Sequence, residues 1–205
     1  MLFRSACTDG IMQITFVKPT LGRLADGPFR DEARMEPLNL GVLAGLTPDG
    51  VDVRLWDDRI DHIDYDERTD LVAITVEAFT ARRAYEIADE YRARRVPVIM
   101  GGIHATALPD EVAEHADSVL TGDAETRWAR VVADAHERHL APRYHGETGT
   151  PQPTTHARRD LYEGKGYLPL SLLQFGRGCR FRCEYCAVGS YFDHQHHARP
   201  VDDVV

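Results

Sequence analysis

The run Asp70–Val76 (DLVAITV) has no polar alternation: after its aspartate, every residue is apolar or β-branched. Successive strand side chains point to opposite faces, so such a run suits a strand covered on both sides, the environment of a parallel sheet with a helical layer above and below. Met12–Val17 (MQITFV), Val51–Trp56, Val96–Met100 (VPVIM) and Ser118–Thr121 read as further strands, with Pro97 admissible because it stands near a strand start. Between them lie helical spacings. Leu38, Gly41, Val42 and Gly45 form one set, with glycines that permit close packing on the sheet, and Thr47-Pro48-Asp49-Gly50 ends that helix as a turn. Ala84, Ile87, Ala88 and Tyr91 follow i, i+3, i+4, i+7 behind a capping Thr80. Pro109, Asp110 and Glu111 suit a helix first turn ahead of Val112, Ala113 and Ala116, and Trp128, Val131, Val132 and Ala135 form a last apolar face. Strands alternating with helices predict an α/β fold, a doubly wound parallel sheet of about five strands over residues 11–138. Its ligand-binding edge collects the loops after Val17, Trp56, Val76, Met100 and Thr121. Residues 1–10 fit no element and 18–34 read as a long loop. Residues 139–166 read as a linker, and Leu168–Phe175 (LPLSLLQF) as a strand opening a second unit over 167–205.

Composition narrows the function. The chain carries 24 Lys plus Arg against 33 Asp plus Glu, a net charge of −9, which argues against a nucleic-acid surface. No apolar run approaches the roughly 20 residues that span a bilayer, and the first ten residues do not resemble a secretory signal, so a cytoplasmic protein is expected. In a reducing compartment, tightly spaced cysteines point to metal ligation rather than disulfides.

Three of the four cysteines, Cys179, Cys183 and Cys186, form a CxxxCxxC string in which Gly176 and Gly178 precede the first. Three thiolates on a tight loop can hold three irons of a cubane cluster and leave the fourth open to a substrate or cofactor. The same thiolates with His194, His196 or His197 would also make a Cys₃His zinc site. CxxxCxxC with Tyr185 just before the last cysteine resembles the signature of the radical S-adenosylmethionine superfamily. The resemblance implies a 4Fe–4S cluster on the three cysteines, S-adenosylmethionine chelating the open iron and cleaved to a 5′-deoxyadenosyl radical, and Tyr185 near the adenine. It also implies a reducing partner such as flavodoxin or ferredoxin, acting on a small-molecule substrate that the sequence does not identify.

Upstream, Val98–Glu111 joins a strand to a helix through Gly101-Gly102, and Gly122-Asp123-Ala124-Glu125 follows the fifth strand. The order Pro37-Leu38-Asn39-Leu40-Gly41, GGIHAT…PDE, GDAE and RGCRFRCEYC is similar to the cobalamin-binding radical S-adenosylmethionine proteins over about residues 12–205. That resemblance implies a flavodoxin-like cobalamin domain ahead of a radical SAM barrel, with Thr75, Glu77, Gly101, Gly102, His104, Thr106 and Gly122 toward the cofactor. It further suggests methyl transfer to an unactivated carbon. No DxHxxG follows Val17, so cobalamin is expected without a histidine ligand from that loop; His104 reads first as an ordinary hydrogen-bonded loop histidine and only second as a cofactor contact. The acidic stretch Asp57, Asp58, Asp61, Asp64 and Asp66 reads as a solvated loop, and Trp56 and Trp128 as packing residues. Full (β/α)₈ barrels take about 250 residues, whereas only 187–205 follow Cys186, so the chain is expected to be a fragment inactive alone. A second reading is a non-catalytic cobalamin- or nucleotide-binding module with a zinc-stabilised tail.

Overall fold

A computed structural model describes residues 11–24, 27–28, 34–149 and 156–204 of the protein. Residues 1–10 therefore lie outside the described part, as does Cys7. The chain runs β1 (Met12–Lys18), α1 (Leu38–Leu46), β2 (Val51–Asp57), β3 (Leu71–Thr75), α2 (Ala81–Ala93), β4 (Val98–Gly101), α3 (Ile103–Ala107), α4 (Pro109–His115), β5 (Ser118–Thr121), α5 (Trp128–His136) and β6 (Arg143–His145). These strands make one six-stranded sheet in the order β2-β1-β3-β4-β5-β6, every pair parallel. The expectation of about five strands is corrected to six. Arg143–His145 fell inside the presumed linker because its polar ends flank one buried residue, Tyr144, a pattern that an edge strand needs and a search for apolar runs passes over.

All five residues of β3 are buried, and they divide strictly by the pleat. Val72 and Ile74 enter a core with Ala84, Ile87, Ala88 and Tyr91 of α2 and Val112 of α4. Leu71 and Ala73 enter the opposite core with Leu40 and Ala44 of α1 and Trp128, Val131 and Val132 of α5. The helices therefore sit on both faces of the sheet, as the continuous apolar run required. Thr80 stands at the α2 cap position, but its hydroxyl is turned back on residue 77, accepting the Glu77 N–H at 3.1 Å.

Residues 156–168 are stitched along α1 and the loop after β2. Gly41 and Gly45 leave space for this segment rather than for the sheet: a Cβ at Gly41 would lie 1.9 Å from the Tyr162 hydroxyl, and one at Gly45 1.9 Å from the His156 carbonyl oxygen. Tyr162 is buried and donates to the Pro37 carbonyl at 3.1 Å; burial first, and then the Glu36 carboxylate, push its phenol up to about 12. The acidic stretch is not uniformly solvated. Asp57 is fully buried, paired with Arg59 at 2.7 Å and accepting the Tyr167 hydroxyl at 2.9 Å, while Asp58 pairs with Arg83 and Asp61 with Lys165.

The strand expected at Leu168–Phe175 is absent; Leu168, Leu170, Leu173 and Phe175 are exposed in an irregular segment. An apolar run becomes a strand only where neighbouring strands satisfy its backbone. The local pairing comes one step later, between β7 (Gly176–Gly178) and β8 (His196–Ala198), an antiparallel pair enclosing the cysteines and a short α6 (Ala187–Tyr191).

Candidate functional site

The C-terminal ends of β3, β4 and β5 and the facing sides of α1 and α5 enclose a cavity of about 360 Å³. Leu38, Val42 and Leu43 line it from α1, opposite Ile99, Leu120 and Trp128. Trp128 is fixed on two sides: its ring packs 5.4 Å from that of Phe16, and its indole N–H donates to Thr47 Oγ1 at 2.9 Å. The result is an apolar slot with a rigid wall. Polar groups are few. Asn39 donates through Nδ2 to Thr75 Oγ1 at 2.8 Å, and the backbones of Gly101, Gly102 and Gly122 form the mouth with Asp123, Glu125, Arg177 and Tyr191.

Of the residues expected to face a cofactor, Thr75, Gly101, Gly102 and Gly122 line this cavity. Thr106 stands behind the mouth and joins its two turns, accepting the Gly122 N–H at 2.9 Å and donating to the Gly102 carbonyl at 3.0 Å. Glu77 and His104 do not line it. Glu77 pairs with Lys18, and His104 Nε2 lies 3.1 Å from the Tyr85 hydroxyl and 3.3 Å from Glu111 Oε1. Burial, then the Glu111 carboxylate, raise the Tyr85 phenol, while the hydrogen bonds from Tyr85 and His104 hold Glu111 below the usual carboxylate range. This is the setting of a hydrogen-bonded structural histidine, placed on the short helix α3 rather than in a loop.

Cys179 and Cys186 are half-buried and Cys183 is exposed, all three as free thiols; Tyr185 is 93% exposed and outside the cavity. Among the described residues, no three His, Cys, Asp or Glu side chains are grouped to hold one metal ion. His196 and His197 lie in β8, their backbones paired with Gly178 and Arg177, and His194 Nδ1 lies 3.3 Å from the Phe181 carbonyl oxygen. In number, three thiolates match the donor set of a cubane cluster with one open iron.

The most informative residues at the mouth are ones that motif reading left out of the site. Arg177 pairs with Asp123 at 2.9 Å and with Glu125, and Tyr191 donates to Asp123 Oδ1 at 3.1 Å. Burial opposes the charge on Arg177, but the Glu125 and Asp123 carboxylates outweigh it and hold its pKa above the ordinary arginine value. Burial, and next the Asp123 carboxylate, raise the Tyr191 phenol. The available signals were an arginine between two glycines before the first cysteine and an acidic turn at a strand's C-terminal end.

A parallel sheet whose order reverses beside β1, with an apolar slot under its C-terminal edge, defines a doubly wound cofactor-binding protein. Residues 31–135 match the B12 binding domain, and the chain belongs to that family. It is similar to bacteriochlorophyllide d C-8(2)-methyltransferase of Chlorobaculum tepidum, 34% identical over 180 residues that cover 81% of this chain and 39% of that protein. It is also similar to the C-12(1)-methyltransferase of the same organism, 30% identical over 177 residues covering 82% and 39%. An uncharacterized methyltransferase of Synechocystis sp. is 29% identical over 162 residues, covering 75% and 29%. The chain thus spans about two-fifths of the length of the first two relatives. No helix among the described residues is long and apolar enough to cross a membrane.

The cavity residues fit the family's cofactor better than a nucleotide polyphosphate. Among the described lining residues Arg177 is the one Lys or Arg, and two carboxylates already meet its charge, so phosphate groups would find no excess of positive charge there. An apolar slot with a few side-chain and backbone polar groups suits a large amide-rich ligand with an aromatic end.

Proposed function

We propose that the chain is the cobalamin-holding and cluster-bearing part of a radical S-adenosylmethionine methyltransferase acting on a small-molecule carbon centre. The observation that carries this reading is spatial: Arg177 and Tyr191, which bracket the three cysteines in sequence, line the same cavity as Thr75, Gly102 and Gly122. That juxtaposition supports pairing the two chemistries that the resemblance implies. The methyltransferase names of the relatives agree with it.

In this reading Leu38, Val42, Ile99, Leu120 and Trp128 would hold the aromatic end of cobalamin away from water, and Asn39, Thr75 and the mouth glycines would bond its polar edge. Cys179, Cys183 and Cys186 would hold a 4Fe–4S cluster. When bound, cobalamin supplies a methyl carrier and the cluster, fed by a flavodoxin or ferredoxin, supplies the electron that cleaves S-adenosylmethionine. The chain's own part is to orient: the Thr75–Asn39 bond fixes the polar edge of the slot, and the Thr106 bridge keeps the Gly102 and Gly122 turns in register. Solvent exposure of Cys183 leaves a path for electron entry.

The test is anaerobic reconstitution with iron and sulfide. A brown protein with about four irons and four sulfides per chain, lost in the triple Cys179→Ala, Cys183→Ala, Cys186→Ala variant, is expected. A colourless protein holding stoichiometric zinc would sink the cluster assignment.

A further inference from the structure

Two residues before Cys179, Arg177 crosses to the loop after β5; five residues after Cys186, Tyr191 does the same, and both end on Asp123. Tyr191 donates to Oδ1, and Arg177 reaches Oδ2 at 2.9 Å, where the Gly149 N–H also donates at 3.0 Å. Arg177 and Asp123 are 11% and 12% exposed, so the pair is shielded from water and losing either partner leaves a costly buried charge. Asp123 directly follows Gly122 at the cavity mouth and itself lines the cavity.

The backbone holds this arrangement in place. Gly178 has φ +83°, and a Cβ there would sit 2.2 Å from the Gln195 carbonyl oxygen, so only glycine allows β8 to close on β7 and set Arg177 beside Asp123. One donor is left over. Arg177 Nε is buried without a hydrogen-bond partner, although its terminal nitrogens are engaged with Asp123, Glu125 and Gln174. Arg177, Tyr191 and Asp123 all line the cavity, so a ligand seated there bears directly on the side chains that brace the cysteine loop. With the guanidinium charge already met twice, the mouth favours a neutral ligand such as an amide-rich one over an anion.

We propose that Asp123 is a joint tying both ends of the cysteine loop to the cavity, with Arg177 and Tyr191 as positioning residues, so that an amide-bearing ligand in the cavity holds the cysteine loop in place. The ligand's identity as cobalamin rests on the function proposed above; the joint itself does not. Coupling is reciprocal: whatever orders the loop also favours cavity binding.

The experiment follows maleimide labelling of the reduced, metal-free chain by peptide mass spectrometry, reading Cys179 and Cys186 against Cys7, with and without cyanocobalamin, whose cobalt is capped by cyanide. Saturating cyanocobalamin is expected to slow labelling of Cys179 and Cys186 at least about fivefold. The slowing should fall below about twofold in Asp123→Asn and Arg177→Met, each saturated at its own affinity, and return in part in Arg177→Lys. Tyr191→Phe, which removes one hydroxyl and keeps the ring against Phe192, should show an intermediate loss and carries the test if Asp123→Asn does not fold. Retained cyanocobalamin with unchanged labelling in the unaltered chain overturns the proposal and leaves the cofactor assignment standing. If cyanocobalamin is not retained, the cofactor assignment fails, and the ligand-free arm decides the joint. Faster labelling of Cys179 and Cys186 in Asp123→Asn and Arg177→Met then upholds it, and equal labelling overturns it.

Discussion

Residues 12–145 bury apolar side chains on both faces of one sheet, with Ile14, Phe16, Leu71, Ile87 and Val98 essentially inaccessible. Residues 168–204 behave differently: Leu173 and Phe181 are 63% and 66% exposed, and the local β7–β8 pair has three residues per strand. The first region is ordered by area removed from water and the second by a small number of polar ties, chiefly Arg177 and Tyr191 to Asp123. Hydrophobic burial is non-directional and tolerant of detail, whereas a shielded ion pair fails as soon as one partner is lost.

Matched truncations should expose this difference most strongly. Phe16→Ala is expected to cost about 3–5 kcal/mol in urea unfolding, because it opens a cavity against Trp128. Phe181→Ala should stay within about 0.5 kcal/mol; a comparable loss there would give the cysteine segment a core of its own and break the contrast.

Asp57→Asn tests the polar attachment of the segment between the two regions. Asp57 is fully buried against Arg59 and Tyr167, so removing its charge is expected to cost about 3 kcal/mol. It should also open residues 165–167 to trypsin cleavage after Lys165. Stability loss without new cleavage would confine the effect to the loop after β2.

The smallest effect is expected at the edge of the sheet. The Tyr144 hydroxyl and Arg130 hold Asp134 below the usual carboxylate range. A carboxylate depressed in the folded state stabilises at pH above its unfolded value, about 3.9, and loses that contribution as the pH falls toward the folded one. Asp134→Asn should therefore lower the thermal midpoint near pH 7, and the gap to the unaltered chain should close below about pH 4. A gap independent of pH would assign the loss to packing.

The sheet and its helices were legible because burial on two faces leaves a mark in every residue of a strand such as Leu71–Thr75. Ala84, Ile87, Ala88 and Tyr91 likewise declare α2 by spacing alone, and all four are buried. β6 was not legible, since an edge strand with one buried residue carries almost no periodicity. Leu168–Phe175 misled for the opposite reason: its composition is that of a strand, but pairing requires neighbours that local sequence does not reveal. The acidic stretch concealed its partners, because Arg83, Lys165 and Tyr167 lie far along the chain from Asp58, Asp61 and Asp57. At the cavity, backbone-led positions such as Gly101, Gly102 and Gly122 could be anticipated from strand-end turns. The Asp123 joint could not, since it exists only once residues 177 and 191 fold back over β5.

The central claim, that the slot between α1, α5 and the sheet edge holds cobalamin, is most directly tested by equilibrium dialysis of the chain against cyanocobalamin, beside Val42→Trp. Val42 is a half-buried lining residue on α1, so the larger ring should fill the slot while leaving both cores intact. One cobalamin per chain, weakened about tenfold or more in a Val42→Trp variant of unchanged thermal midpoint, is the predicted result. No retention by the folded chain, or equal affinity in the variant, would contradict it.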